Sequence, residues 1–123
     1  MTAVRPISDI TIWGRSAERA AVFAASLDRP ATVAASVAQA VAEADIICTT
    51  TPAAAAILTG AALRPGTHVN LFGSAIPSTA EADTALVAMS EYHVDHRDAA
   101  LAAAVELRAA TAAGPDPEID LNE

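Results

Sequence analysis

The chain has 123 residues, of which 53% are hydrophobic and only 3% aromatic, so at most one domain with a core of small side chains is expected. Its net charge of −8 gives it no electrostatic reason to bind nucleic acid or an anionic membrane. A single cysteine excludes an internal disulfide, and neither a signal-peptide pattern nor an apolar run of membrane-spanning length occurs. We therefore predict a cytoplasmic protein.

Five β-like runs alternate with helical patterns along the chain. The runs are residues 9–13 (DITIW), 31–35 (ATVAA), 44–51 (ADIICTTT), 67–74 (THVNLFGS) and 91–95 (EYHVD). Helical patterns follow them at residues 16–27, 36–44, 53–66 (a short helix and a turn), 78–89 and 96–114. Because short connections through helices join parallel strands, this alternation predicts βαβ units and an α/β fold.

Three serines stand where helices are predicted to begin. Ser16 and Ser36 precede apolar-periodic segments and are predicted to be their N-caps. Ser78 is followed three residues later by Glu81, a spacing that predicts a capping box at the start of the fourth helix.

The single cysteine and the histidines do not form a metal-ligand pattern. Cys48 ends an apolar run that indicates a strand buried on both faces, so an inert, buried thiol is expected. His68, His93 and His96 lack metal-ligand spacing with Cys48, and we expect no metal site. Asp95 and Asp98 flank the last helix start and are interpreted as caps.

Short polar or glycine-containing stretches follow three of the predicted strands. They are Gly14-Arg15-Ser16, Thr49-Thr50-Thr51-Pro52 and Gly73-Ser74. Ligands of parallel sheets bind at the carboxyl ends of the strands, so these three stretches are the candidate ligand-binding edge. Arg15 is the one charged residue among them.

Three motifs in this order resemble the ornithine cyclodeaminase/mu-crystallin family: CTTTP (48–52), LRPGTHVNLFGS (63–74) and VDHRDAAL (94–101). Members of that family have a Rossmann-type domain that binds NAD or NADP and a second domain that binds substrate and builds a dimer. Their reactions include ornithine cyclisation with loss of ammonia, reduction of cyclic imines and ketimines, and alanine dehydrogenation. The resemblance implies a mostly parallel sheet of about five strands flanked by helices.

The resemblance further implies that this chain is an internal part of such a protein. The family's glycine fingerprint lies in a first βα unit, and no G-x-G-x-x-G occurs in these residues. Residues 1–113 are thus expected to form a partial NAD(P)-binding Rossmann-type domain, and residues 114–123 a truncated acidic tail. A homodimer is expected only of full-length members. Because the absent strand is central in the family's sheet, we predict that strand 9–13 pairs directly with strand 44–51.

The turn Gly14-Arg15-Ser16 is the predicted site of the 2′-phosphate of NADP. At this position a carboxylate would bind the ribose hydroxyls and repel a 2′-phosphate. Here Gly14 leaves room, the Arg15 guanidinium can pair with a phosphate, and Ser16 adds a hydroxyl at a helix N-terminus. NADP is the expected cofactor, with NAD as the alternative. The alternative for the residues is a solvated Arg15 and a Ser16 that is only an N-cap.

The resemblance assigns the rest of the dinucleotide to the other two stretches. Thr49, Thr50 and Thr51 match the turn that faces the ribose and pyrophosphate; the alternative is that they are β-formers that end a strand. Gly73 and Ser74 match the turn beside the nicotinamide, where glycine permits close backbone approach, and the alternative is an ordinary tight turn.

Ala75 bears on the reaction. Cyclodeaminases of the family carry a catalytic aspartate at the equivalent position, and alanine cannot move a proton. No catalytic residue is therefore assigned, this chain alone is expected to be inactive, and the parent activity expected is NADPH-dependent reduction of an imine or ketimine. The alternative is a non-catalytic remnant that acts as a nucleotide-binding or oligomerisation module.

Overall fold

The structure is a computed structural model that describes residues 5–73, 78–113 and 119–121. The chain divides into two compact units, unit 1 over residues 1–43 and unit 2 over residues 44–123. Each unit contains parallel strands together with helices that follow them along the chain. The predicted α/β fold class is therefore confirmed.

Unit 1 holds a two-stranded parallel sheet with a helix after each strand. Its elements are β1 (Thr11–Ile12), α1 (Ala17–Ala25), β2 (Thr32–Val33) and α2 (Val37–Val41). Its buried apolar side chains include Ala20, Ala34 and Val41. Since these side chains are small, the core of unit 1 removes little apolar area from water.

Both predicted helix starts in unit 1 are confirmed. The Ser16 Oγ accepts a hydrogen bond from the Arg19 N–H at 3.2 Å, at the start of α1. The Ser36 Oγ accepts one from the Gln39 N–H at 3.1 Å, at the start of α2. Each serine thereby satisfies a backbone donor that the first helical turn leaves without a partner.

Unit 2 contains the remaining strands and helices. Its elements are β3 (Ile46–Thr49), a 3₁₀ turn (Gly60–Ala62), β4 (His68–Leu71), α3 (Thr84–Ala88), β5 (Tyr92–Val94), α4 (Arg97–Ala103), α5 (Val105–Ala113) and β6 (Ile119–Leu121). Helix α3 packs on α5, where Leu86, Val87 and Leu107 are buried. The core of unit 2 therefore contains larger side chains than that of unit 1.

The strands pair as three two-stranded parallel ladders in the part of the chain that the structure describes. Strand β1 pairs with β2, β3 with β4, and β5 with β6. In these residues six strands, where about five were expected, form the three ladders. Since β1 and β3 belong to different units, their predicted direct pairing stays a prediction. Strands β1 to β4 each pair with a neighbour in sequence, which needs only a short crossover.

Three predicted helical segments differ in the structure. The segment 96–114, predicted as one helix, contains α4 and α5, which the extended backbone of Ala104 separates. The segment 53–66 has only the 3₁₀ turn, followed by a tight turn in which the Thr67 N–H donates to the Arg64 carbonyl at 3.2 Å. Gly66 takes a φ of +84° there, after a proline, as a type II turn requires. The short helix predicted in this segment is therefore replaced by turns.

The capping box predicted at Ser78 and Glu81 is also wrong. Helix α3 begins after Asp83, whose Oδ1 accepts from the Leu86 N–H at 2.8 Å. The same oxygen accepts from the Gly60 N–H at 3.1 Å. An aspartate directly before the helix takes the cap, and the carboxylate of Glu81 is used elsewhere.

Cys48 is exposed, contrary to the expected burial. Along β3 the side chains alternate, with Ile47 and Thr49 buried on one face and Cys48 exposed on the other. The apolar run was therefore a poor guide to burial, because one face of the β3–β4 ladder is open to solvent.

The cap at the start of α4 also differs from the prediction. It is His96, whose Nδ1 accepts from the Ala99 N–H at 3.3 Å, and not an aspartate.

Candidate functional site

In unit 1, the residues after β1 form an open turn that leads into α1. A Cβ placed on Gly14 would find its nearest neighbour, the Cβ of Ala20, at 3.7 Å, which is ordinary contact distance. Arg15 is exposed and Ser16 is half-buried. Because the Ser16 Oγ accepts from the Arg19 N–H, its own O–H stays available to donate.

In unit 2, the ends of β3 and β4 converge on one carboxylate, that of Glu81. Its side chain is fully buried, with 0% of the residue exposed. Its Oε2 accepts from the Thr49 hydroxyl at 2.5 Å and from the Gly73 N–H at 2.7 Å. Its Oε1 accepts from the Thr51 N–H at 2.6 Å and from the Thr51 hydroxyl at 2.8 Å. Each oxygen thus receives one hydroxyl and one backbone donor.

These hydrogen bonds determine the charge of Glu81. Burial by itself raises the pKa of the carboxyl, but hydrogen bonds from Thr49, Thr51 and Gly73 outweigh it and hold the pKa below the ordinary value of 4.5. The group is therefore ionised at neutral pH. An ionised carboxylate only accepts hydrogen bonds, which matches four surrounding donors.

Gly73 has no space for a side chain. A Cβ there would stand 1.9 Å from the Thr51 carbonyl oxygen and 2.5 Å from Glu81 Oε1. The carbonyl of Gly73 accepts from the Thr79 hydroxyl at 2.7 Å, and Thr79 is itself buried. The turn after β4 is therefore held at both its N–H and its C=O, and glycine is required by packing.

The structure brings together three of the residues predicted to bind cofactor in unit 2: Thr49, Thr51 and Gly73. The hydroxyls of Thr49 and Thr51 donate to Glu81, while Thr50 is exposed. Ser74 and Ala75 lie outside the described residues. In unit 1, Gly14, Arg15 and Ser16 are consecutive at the N-terminus of α1.

The sequence pattern predicted that Glu81 belongs to a helix cap, and its contacts with the turns after β3 and β4 were not predicted. The capping-box spacing from Ser78 offered a local explanation for the glutamate, although Asp83 is placed directly before the helical segment. The residues that donate to Glu81, namely Thr49, Thr51 and Gly73, were a better guide to a buried acceptor. Hydroxyl residues and a glycine at the ends of two neighbouring strands present several N–H and O–H groups to one acceptor.

Other features of the described residues do not add a second site. No three His, Cys, Asp or Glu side chains there lie close enough to hold a metal ion. No helix in the described part is both long and apolar enough to cross a membrane. On the open face of the β3–β4 ladder, the Asn70 amide contacts the Cys48 sulfur at 3.6 Å and His68 at 3.3 Å.

Comparison with known proteins identifies the family. The model of the ornithine cyclodeaminase/mu-crystallin family matches residues 1–108. The chain belongs to this family. The resemblance carried by the three sequence motifs is thereby confirmed.

Two curated relatives are named as reductases. Ketimine reductase mu-crystallin of Rattus norvegicus is 39% identical over 93 residues, which cover 76% of this chain and 30% of the relative. Delta(1)-pyrroline-2-carboxylate reductase of Paracoccus denitrificans (strain Pd 1222) is 37% identical over 117 residues, covering 92% of this chain and 37% of the relative. The chain thus spans about a third of the length of these relatives.

Two solved structures share the fold. Delta(1)-pyrroline-2-carboxylate reductase of Thermococcus litoralis, in complex with NADH and L-proline, matches with a TM-score of 0.86 and 20% identity over 98% of this chain and 46% of its own. The iminosuccinate reductase of Paracoccus denitrificans, in complex with NAD+, matches with a TM-score of 0.79 and 22% identity. This match covers 98% of this chain and 44% of the reductase chain. At these identities the matches support the α/β fold.

Proposed function

We propose that this chain is a dinucleotide-binding part of an enzyme that reduces an imine or ketimine, and that it prefers NADP to NAD. The relatives named as ketimine and pyrroline-2-carboxylate reductases support the reaction class. The neighbours solved with NADH and NAD+ support a nicotinamide dinucleotide. The preference for NADP rests on one observation, the exposed Arg15 in the β1–α1 turn.

The residues of this turn fit a phosphate. Gly14 leaves the approach to the backbone open, since even a Cβ there would make no close contact. The exposed Arg15 guanidinium supplies positive charge, and the Ser16 O–H remains a donor. The N-terminus of α1, a helix of nine residues, adds the positive end of the helix dipole.

We propose the turns of unit 2 for the rest of the cofactor. Thr50 is exposed and can meet the dinucleotide directly. Thr49, Thr51 and Gly73 would contribute by the shape of their turns, because their donors are engaged by Glu81. Ser74 keeps its assignment to the nicotinamide side as a proposal.

No residue of this chain is proposed to move a proton in the reaction. When bound, NADPH supplies the hydride for imine reduction, but Ala75 stands where the family's cyclodeaminases carry an acid. We therefore expect the 123-residue chain to bind the dinucleotide without turning over an imine. A non-catalytic module is the second candidate function, and NADPH oxidation by the chain with a cyclic imine would contradict it.

The domain assignment also remains a proposal. Residues 1–113 are proposed as a partial Rossmann-type domain and residues 114–123 as an acidic tail, within which the structure places β6. A cytoplasmic location and a homodimer of the full-length protein are proposals of the same kind, and sedimentation of the full-length protein tests the dimer.

Thermal melting with NADPH and with NADH tests the cofactor proposal, because a ligand that binds the native state raises Tm. We expect NADPH to raise Tm more than NADH does. Arg15→Ala should remove that difference, whereas Arg19→Ala, which deletes an exposed arginine within α1, should keep it. Equal effects of NADPH and NADH on the parent chain would contradict the NADP preference, and no effect of either would contradict dinucleotide binding.

A further inference from the structure

We propose that Glu81 is a positioning residue for the dinucleotide, which it does not touch. In this role its carboxylate fixes the turn after β3 and the turn after β4 in the relative arrangement that binding needs. The inference rests on the proposed function, since it concerns the same edge of the β3–β4 ladder.

The position of Glu81 is explained by where the ladder ends. Thr49 lies opposite Leu71 in the last paired register, and the Phe72 N–H still donates to the Thr49 carbonyl at 3.1 Å. Beyond that point the N–H groups of Thr51 and Gly73 both donate to the carboxylate of Glu81. The carboxylate therefore continues the connection between the strands past the end of the ladder.

The backbone of Glu81 is itself anchored. Its carbonyl accepts from the Ile57 N–H at 3.1 Å and from the Leu58 N–H at 2.9 Å. The next residue, Ala82, forms a parallel bridge with Leu58, and both are buried. A side chain of a different length could not be accommodated by a backbone shift without loss of these contacts.

The chemistry of four donors selects a glutamate at this position. Glutamine keeps the length but replaces one oxygen by an NH₂ group, which would face two N–H or O–H donors without accepting from them. Aspartate keeps both oxygens but is one methylene shorter. Since each buried donor that loses its acceptor carries a desolvation cost, neither substitution preserves the two turns.

Glu81 also exposes no charged atom at the surface that meets the cofactor. Its carboxylate is fully buried, and its four hydrogen bonds all lead to Thr49, Thr51 and Gly73. A dinucleotide phosphate would therefore meet the turns and not the anion. In this proposal Glu81 therefore acts on cofactor binding by positioning the two turns and not by direct contact with the dinucleotide.

The test compares Glu81→Gln with Asp83→Ala in the 123-residue chain. Asp83 caps α3 and accepts from the Gly60 N–H, and among the described residues it makes no hydrogen bond to Thr49, Thr51 or Gly73, so its loss weakens the same region without removing the carboxylate of Glu81. Amide hydrogen exchange at Thr51 and Gly73 is measured against the amide of Phe72 as internal reference. NADPH affinity is measured by titration at a temperature where every variant is folded.

We expect Glu81→Gln to accelerate exchange at Thr51 and Gly73 by about tenfold or more relative to Phe72, and to weaken NADPH affinity by about the same factor, since hydrogen bonds to a charged group are lost. Asp83→Ala should lower Tm yet change neither quantity. If Glu81→Gln does not fold, Thr51→Val removes one hydroxyl donor and keeps the carboxylate, and a smaller loss of affinity is expected.

Several results would overturn the proposal. Unchanged exchange at Thr51 and Gly73 would show that Glu81 does not fix the turns. Accelerated exchange with unchanged NADPH affinity, or equal losses of affinity in Glu81→Gln and Asp83→Ala, would leave Glu81 a purely structural role. If the parent chain binds neither NADPH nor NADH, the proposed function fails together with the cofactor part of this inference, and the exchange rates still decide whether Glu81 fixes the two turns.

Discussion

The Gly73 N–H lies 2.7 Å from Glu81 Oε2, and a Cβ on Gly73 would stand 2.5 Å from the other oxygen of the same carboxylate. The Gly73 N–H can therefore donate to Glu81 only if residue 73 has no side chain. An alanine there would keep the N–H, but its methyl group would displace the carboxylate that accepts the hydrogen bond.

We expect Gly73→Ala to lower the free energy of unfolding by roughly 3 kcal/mol, the upper part of the range for an overpacked site. The added Cβ would also meet the Thr51 carbonyl oxygen at 1.9 Å, so the backbone of one of the two turns has to move. Urea denaturation measures the change. A loss below about 1 kcal/mol would mean that the turns adjust easily and that glycine is not required there.

Gly14→Ala is expected to leave stability unchanged and to weaken binding of NADPH. The nearest atom to the added Cβ lies at 3.7 Å, so the folded chain accommodates the methyl group. If the backbone of this turn meets a phosphate, the same methyl group stands in the way of the ligand. The readout is Tm with and without NADPH, and an undiminished NADPH effect in the variant would contradict a role for Gly14 in phosphate binding.

The lowered pKa of Glu81 predicts a loss of stability in acid. Because the folded chain binds this proton more weakly than the unfolded chain, the contribution of Glu81 is present above pH 4.5 and is lost as the pH falls through the lowered pKa. Urea denaturation over a series of pH values measures it. In this range the free energy of unfolding should depend less steeply on pH in Glu81→Gln than in Glu18→Gln, a control that changes an exposed glutamate. Equal slopes of the free energy of unfolding against pH in the two variants would contradict the prediction.

Tyr92 is the single tyrosine of the chain, so its ionisation can be followed directly by absorbance. Burial, and the nearby carboxylate of Glu106, raise the pKa of Tyr92 from 10.0 to about 12. The folded chain therefore holds this proton more tightly than the unfolded chain, and stability is lost as the pH rises from 10.0 towards about 12.

Glu106→Gln tests whether the charge of Glu106 contributes to the raised pKa of Tyr92. Glu106 is buried and its carboxylate oxygens have no hydrogen-bond partner among the described residues. Removal of the charge should lower the pKa of Tyr92 while leaving it above 10.0, because burial remains. A midpoint identical to that of the parent chain would show that Glu106 does not act on the tyrosine.

Two kinds of feature that depend on neighbours in sequence were predicted correctly, the N-caps of α1 and α2 and the parallel pairing of strands. Ser16 and Ser36 cap their helices because a serine at that position meets an N–H three residues later in any α-helix. The alternation of strands and helices likewise predicted parallel pairing, since it depends on crossover length and not on tertiary detail.

Features that depend on distant partners were not predictable in the same way. The donors to Glu81 from Thr49 and Thr51 lie 32 and 30 positions earlier, while a capping box three residues wide competed for the same glutamate. Exposure of Cys48 depends on whether anything covers its face of the ladder, which an apolar run does not encode.

From the position of Glu81 in the chain we expect an order in the folding of unit 2. It lies 8 residues after Gly73 and 30 after Thr51, so both turns are synthesised before the acceptor that holds them. Closing the shorter loop costs less chain entropy than closing the longer one. Contact of Glu81 with Gly73 is therefore expected first, and capture of the threonine turn becomes the late step that completes this edge.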